Sequence, residues 1–135
     1  MTPRFSTRDV HKSIYVNFIK KAEECFHASG FSFNAQEWNA SAINAIHCCI
    51  SACDAMCVYF LGKRHSGDSH EESVGLFRTV KENNEEIKTN ASRLLRTLAV
   101  KNIAEYEERL VNRAEAERIL KNAERFLSFV KKELP

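Results

Sequence analysis

Residues 44–70 read NAIHCCISACDAMCVYFLGKRHSGDSH. As far as Leu61 the stretch is apolar around most of a helical circumference, through Ala45, Ile46, Cys49, Ile50, Ala52, Cys53, Met56, Tyr59 and Phe60. A helix with that pattern is buried inside a domain. Its polar residues, Asn44, His47, Ser51 and Asp54, follow at steps of three, four and three and so share one face. The helix then runs into a loop bracketed by Gly62 and Gly67, which carries Lys63, Arg64 and His65 and leads to His70. A buried rod that delivers an Arg and two His to a turn is the one place where the sequence hints at chemistry.

Outward from that rod, five pairs of a Ser or Asn with an acid three residues later punctuate the chain: Ser6/Asp9, Asn34/Glu37, Ser69/Glu72, Asn83/Glu86 and Asn112/Glu115. In such a pair the first side chain accepts from an open backbone N–H and the acid reaches back, a capping box. The spacing of apolar residues after each pair predicts a helix. The first spans roughly 7–28, with Val10, Ile14, Phe18, Ala22, Cys25 and Phe26 inward and Gly30 as its stop. The second starts between Asn34 and Asn39 and ends at Leu61. A short third covers about 70–80. The fourth follows Asn83–Asn84 and slips phase near Val100–Lys101. The fifth runs from about Arg113 to Glu133. No segment alternates with period two long enough to predict a strand. Short links between long helices predict an all-α, up-and-down bundle of about five helices in a single domain, residues 1–135.

The totals exclude several classes. With 44% apolar and 28% charged residues the chain has the balance of a folded globular domain rather than a disordered one. A net charge of +2 is too small to announce a nucleic-acid binder on its own. The longest apolar run is interrupted by Asp54 and is read as short of the ~20 residues that cross a bilayer. The N-terminal stretch MTPRFSTRDVHK has no apolar signal core, so a cytoplasmic protein without a membrane segment is expected. Five cysteines is an odd number, and Cys48, Cys49, Cys53 and Cys57 lie on one helix, where disulfide geometry is poor; reduced thiols are expected. Their spacing offers no second ligand cluster for zinc, so they are read as small core residues and no metal is expected.

The remaining candidates each have a plain structural reading. Ser69 and Glu72 beside His70 are good capping residues in their own right. The stripe of Asn44, His47, Ser51 and Asp54 is read as a buried polar network, in the bundle or at a dimer seam. Phe31, Phe33 and Trp38 are read as plugging an end of the bundle, with base stacking as the alternative. Arg93, Arg96 and Lys101 are followed by Glu105, Glu107 and Glu108, which reads as a mixed solvated face.

Arg64, a polar residue directly after it, and His70 six positions on, at the end of a central helix in a small all-α chain, resemble the motif of the HEPN domain, a nucleotide-binding superfamily of higher eukaryotes and prokaryotes. YVNFIKKAEECFHA (15–28) is similar to the first helix of that family, Ala45–Ala55 to its second, KNIAEY (101–106) to a basic–x–x–Ala–acid–Tyr run on a later helix, and Ala116–Phe129 to its last. The resemblance implies a homodimer of bundles. In active members the Arg and His of two protomers face each other and cut RNA with no metal and no cofactor. It implies Arg64 as phosphate clamp and His70 as general acid/base, His65 and Lys63 in support, and Lys101 and Tyr106 near the same cleft. It further implies RNA or a nucleotide as ligand. Family members are often toxin–antitoxin or defence modules restrained by a small nucleotidyltransferase-like partner protein. A non-catalytic helical interaction or dimerisation module is the alternative, and a thiol-reactive or small-ligand sensor on the second helix is a third. The Gly- and Ser-rich loop reads as mobile.

Overall fold

The buried rod forms as expected. In the computed structural model, which describes residues 5–135, Trp38–Leu61 is helix α2, and residues from Ser41 to Val58 supply much of the core. The first four residues, Pro3 among them, belong to the stretch read as lacking a signal core and lie outside the described residues. The bounds of helix α2 are those expected, a start between Asn34 and Asn39 and an end at Leu61. Its 24 residues carry Asp54 as their only Asp, Glu, Lys or Arg, so by length and composition alone it could cross a bilayer. Here its apolar surface is instead covered by protein. It ends at Gly62, whose φ of 69° lets its N–H return to the Val58 carbonyl.

Helix α1 (Tyr15–Asn34) lies along α2. It differs from the expectation at both ends. Gly30 does not stop it, because the neighbouring turn is locked to α2: the Ser29 hydroxyl donates to the Ser41 carbonyl at 2.7 Å and the Ser41 hydroxyl donates to that of Ser29 at 3.0 Å. Small residues at this crossing, Ala22, Ser29, Ser41, Ala42 and Ala45, are fully buried and admit close approach of the helices. Asn34 therefore ends α1 rather than capping α2, and Glu37, at the N-cap of α2, makes no side-chain cap. The predicted inward stripe of α1 is only half-buried apart from Ala22, and Ile14 is 38% exposed.

Ser6 and Asp9 do not start a helix. Thr7–Asp9 is strand β1, followed by a 3-10 turn at Lys12–Ile14, and Lys63–His65 is strand β2. The two pair antiparallel, Thr7 opposite His65, Arg8 opposite Arg64 and Asp9 opposite Lys63. The expectation of no strand fails because three residues are too few to show alternation, and their pairing spans more than fifty residues of sequence. The first half of the Gly62–Gly67 loop, read as mobile, is paired in this ribbon.

Helices α3 (His70–Arg78), α4 (Glu85–Leu98), the short α5 (Lys101–Glu105) and α6 (Arg113–Glu133) complete the bundle. The phase slip near Val100 is the break between α4 and α5. Asn112/Glu115 is a complete capping box, and Ser69 caps α3 by accepting from the Glu72 N–H at 3.1 Å. The cap of α4 is Asn84, because Asn83 takes φ 54° in the turn before it. Helix α2 contacts all five other helices. Around it Phe77, Ile87, Leu94, Leu98, Ile119, Phe126 and Val130 are buried, with the Phe77 and Phe126 rings 5.4 Å apart. Burying each such side chain stabilises the fold by about 1.5–3 kcal/mol. Phe33 and Trp38 meet edge to face at 5.2 Å over a smaller cluster of Ala42, Val111 and Ala116, and so plug one end of the bundle. Phe31 does not join them; it is 72% exposed. The all-α bundle expected from periodicity is the observed fold, with a two-stranded ribbon added at one end of α2.

Candidate functional site

Four elements bring chemistry to one place. Helix α2 carries Ile50 and Asp54. The left-handed turn at Gly62 reverses the chain, so that β2 presents Arg64 and His65 back towards Asp54. The Ser69 cap starts α3 at His70, with Ser73 one turn on. The α4–α5 junction supplies Leu98 and Lys101. These residues, with Ser66, Gly67 and Asp68, line a cavity of about 180 Å³.

The cavity wall carries two cations, Arg64 and Lys101, and two acids, Asp68 in solvent and Asp54 buried. Asp54 is 8% exposed. Burial pushes its carboxyl up to about 7, against the pull of Arg64 and Lys21, whose charges act to lower it. Burial holds His70 below the ordinary imidazole value, as does Lys101; Glu105 acts in the opposite direction. The Arg64 guanidinium donates through Nη1 to the His65 carbonyl at 3.3 Å. Among the described residues no carboxylate forms an ion pair with Arg64 or Lys101. Two cations held at a cavity without a paired acid make a site for an anion. The His65 side chain is buried, and among the described residues its Nε2 has no hydrogen-bond partner. Gly67 lies over the same ring, where an added Cβ would sit 3.4 Å from Cε1 and Nε2. That nitrogen is an unmet polar group beside the cavity, closed off under Gly67.

The other sequence candidates are distributed differently. Lys63 is half-buried in β2 and Tyr106 is 73% exposed; neither lines the cavity. Of the stripe expected to be a buried network, only Asp54 is buried. Asn44 donates to the Ala40 carbonyl at 2.9 Å, Ser51 is half-buried, and His47 is exposed, with Nε2 3.1 Å from Glu105 Oε1. Asn44 thus turns to its own helix and His47 to α5. Glu105, read as part of a mixed face, is thereby engaged. The sequence reading put Asp54 with His47 and missed its place beside Arg64. The available signal was the only Asp, Glu, Lys or Arg of a 24-residue helix, ten residues before an arginine.

A larger groove, about 690 Å³, runs between α1 and α6 past Phe26, His27, Phe31 and Leu127. Among the described residues it holds no arginine, and its Lys131 is already paired with Glu23 at 3.2 Å. Volume favours that groove; the unpaired cations and the titratable acid favour the smaller cavity. Among the described residues no His, Cys, Asp or Glu cluster is arranged to hold a metal. All five cysteines are free; burial pushes the Cys48 thiol up to about 12 and that of Cys49 well above its ordinary value, and a hydrogen bond with Cys57, followed by burial, does the same to Cys53.

No curated protein matches the chain closely enough to be counted a relative. A family model does match it, over nearly all of its helical part. With residues 15–134 matching the HEPN domain, on an all-α bundle whose central helix leads into the Arg64–His70 segment, the chain belongs to the HEPN domain family.

Proposed function

We propose that the cavity binds an RNA phosphodiester and that the protein is a metal-independent endoribonuclease acting as a homodimer. The observation that carries this reading is the convergence of Arg64, Lys101 and His70 on one cavity where, among the described residues, no carboxylate forms an ion pair with either cation. Arg64 offers a planar, permanently charged fork to phosphate oxygens, and Lys101 a second charge. The excess negative charge of a pentacovalent phosphate is stabilised there more than that of the ground state. His70, whose surroundings favour the neutral ring, takes the proton of the ribose 2′-OH as the 2′-oxygen attacks phosphorus. The bond from phosphorus to the 5′-oxygen breaks, and the leaving oxygen takes a proton from an imidazolium, His70 of the partner subunit. The products are a 2′,3′-cyclic phosphate and a 5′-hydroxyl. A two-fold axis at the cavity provides acid and base from two identical chains. The biological setting that fits is a toxin–antitoxin or defence module, cytoplasmic, in which a nucleotidyltransferase-like partner restrains the nuclease.

The test is cleavage of labelled RNA in the presence of EDTA, with growth on expression as a second readout. Arg64→Ala and His70→Ala are expected to abolish cleavage and any growth arrest while circular dichroism stays unchanged. Wild-type cleavage in both variants overturns the reading, and full activity in a strict monomer overturns the two-chain mechanism. A second reading, a non-catalytic interaction module, is favoured by the α1–α6 groove and the exposed Phe31. It predicts a stable complex and no cleavage in any variant.

A further inference from the structure

The match to the HEPN family begins at residue 15, yet the segment carrying Arg64 is built on residues that precede it. We propose that strand β1 is part of the ligand site: it holds the two halves of the Arg64–His70 segment in fixed relation, and Arg8 supplies a further guanidinium to the RNA backbone. The inference rests on the phosphodiester reading above.

Two strands of three residues do not support themselves in water. This ribbon is fastened at both ends. The Val10 N–H donates to the Gly62 carbonyl at 3.0 Å, and the Ser66 N–H donates to the Ser6 carbonyl at 2.9 Å. Just ahead of β1, Phe5 and Ser6 reach α3. The Ser6 N–H donates to Glu72 Oε1 at 3.2 Å, in the first turn of the helix that begins with His70. Phe5 lies against Gly75, where an added Cβ would come within 2.9 Å of Phe5 Cε1. One segment thus contacts β2, which carries Arg64 and His65, and α3, which carries His70. Without it, the Gly- and Ser-rich link between Arg64 and His70 has little to fix its geometry, and small displacements are costly in a catalytic pair. Glu72 is the positioning residue: its backbone N–H completes the Ser69 cap while its carboxylate holds Ser6.

The register adds a charge. Arg8 is directly opposite Arg64, and side chains of directly opposed residues leave the same face of an antiparallel pair. Like charges in that position repel. Arg8 is exposed, and among the described residues it has no carboxylate partner that would relieve the repulsion. A polyanion crossing the ribbon face would neutralise both guanidinium groups. Arg8 therefore fits a phosphate adjacent to the one held by Arg64.

The test uses the full chain, a labelled single-stranded oligoribonucleotide as probe, and binding measured across a salt series, so that no cleavage is required. Arg8→Ala is expected to weaken binding roughly fivefold at low salt, the range of one exposed charge contact. It should also reduce the slope of log affinity against log salt by about 0.7, the counterion release of one contact to a single strand. Glu72→Ala is expected to raise hydrogen exchange at the amides of residues 64–66, and Glu72→Gln, which keeps an oxygen acceptor, to restore protection. Unchanged affinity and slope in Arg8→Ala, with Arg64→Ala weakened, overturns the role of Arg8 while leaving the phosphodiester reading intact. No change in either arginine variant overturns both. Unchanged exchange in Glu72→Ala overturns the positioning role.

Discussion

Replacing Asp54 with Asn isolates the electrostatics of the cavity from its shape. The carboxyl moves from 3.8 in the unfolded chain to about 7 in the fold, because burial penalises its charge more than Arg64 and Lys21 support it. A folded-state value raised in this way stabilises the fold relative to the charged state at low pH; that contribution is complete below the unfolded value and is lost as pH rises through about 7. The whole span corresponds to about 4 kcal/mol, and the part between about pH 5 and pH 8 to about 2.5 kcal/mol. The amide introduced by Asp54→Asn is neutral throughout and nearly isosteric with the carboxyl. Urea unfolding of wild type and Asp54→Asn at both pH values should therefore show the variant gaining on the wild type by about 2.5 kcal/mol as pH rises, and the variant being the more stable near pH 8. Comparing the two proteins at each pH cancels most contributions from the other titrating groups. A stability difference that does not change with pH would show that Asp54 ionises normally and would refute the argument. The same substitution bears on function. With no carboxylate competing for Arg64, inorganic phosphate should bind the variant more tightly than the wild type near pH 8, and equally well below pH 6, where Asp54 is already mostly protonated.

Phe126→Ala should cost about 3–5 kcal/mol, because the ring is fully buried against Phe77 and the surrounding helices cannot close over the void; a loss below about 1 kcal/mol in urea unfolding would mean this core is not packed as described. Asn112→Ala should cost about 1 kcal/mol by removing the cap of α6, measured in the same way. The paired Glu115 is held down to about 2 by its hydrogen bonds from Arg109 and the Asn112 N–H. Its contribution is present above the ordinary carboxylate value and is lost as pH falls towards about 2, so Arg109→Ala should flatten the acid limb of the stability profile.

The strongest sequence signal and the strongest structural element coincide in α2. A long run of small and apolar residues must be taken out of water, and that conclusion needs no coordinates; that protein covers it is what the fold adds. The same holds for α6, where the capping box and the spacing of Ala116, Ile119, Ala123, Phe126 and Val130 put the helix at Arg113–Glu133. The errors fall where a local signal meets a distant partner. Gly30 is a plausible stop until Ser29 bonds to Ser41. Ser6 and Asp9 make a plausible cap until their segment pairs with residues 63–65.

From its order of residues alone, this chain was determined to be an all-α bundle around one buried helix, with an arginine and a histidine waiting at the end of that helix. Such information is local, because helical periodicity and capping involve residues a few positions apart. Which groups share the cavity was decided only in three dimensions. Asp54 turns to Arg64, His47 turns away to Glu105, Tyr106 is left in solvent, and a strand from the N-terminal segment clasps the loop. Those outcomes depend on burial and on pairings across tens of residues, and neither leaves a periodic trace in the sequence.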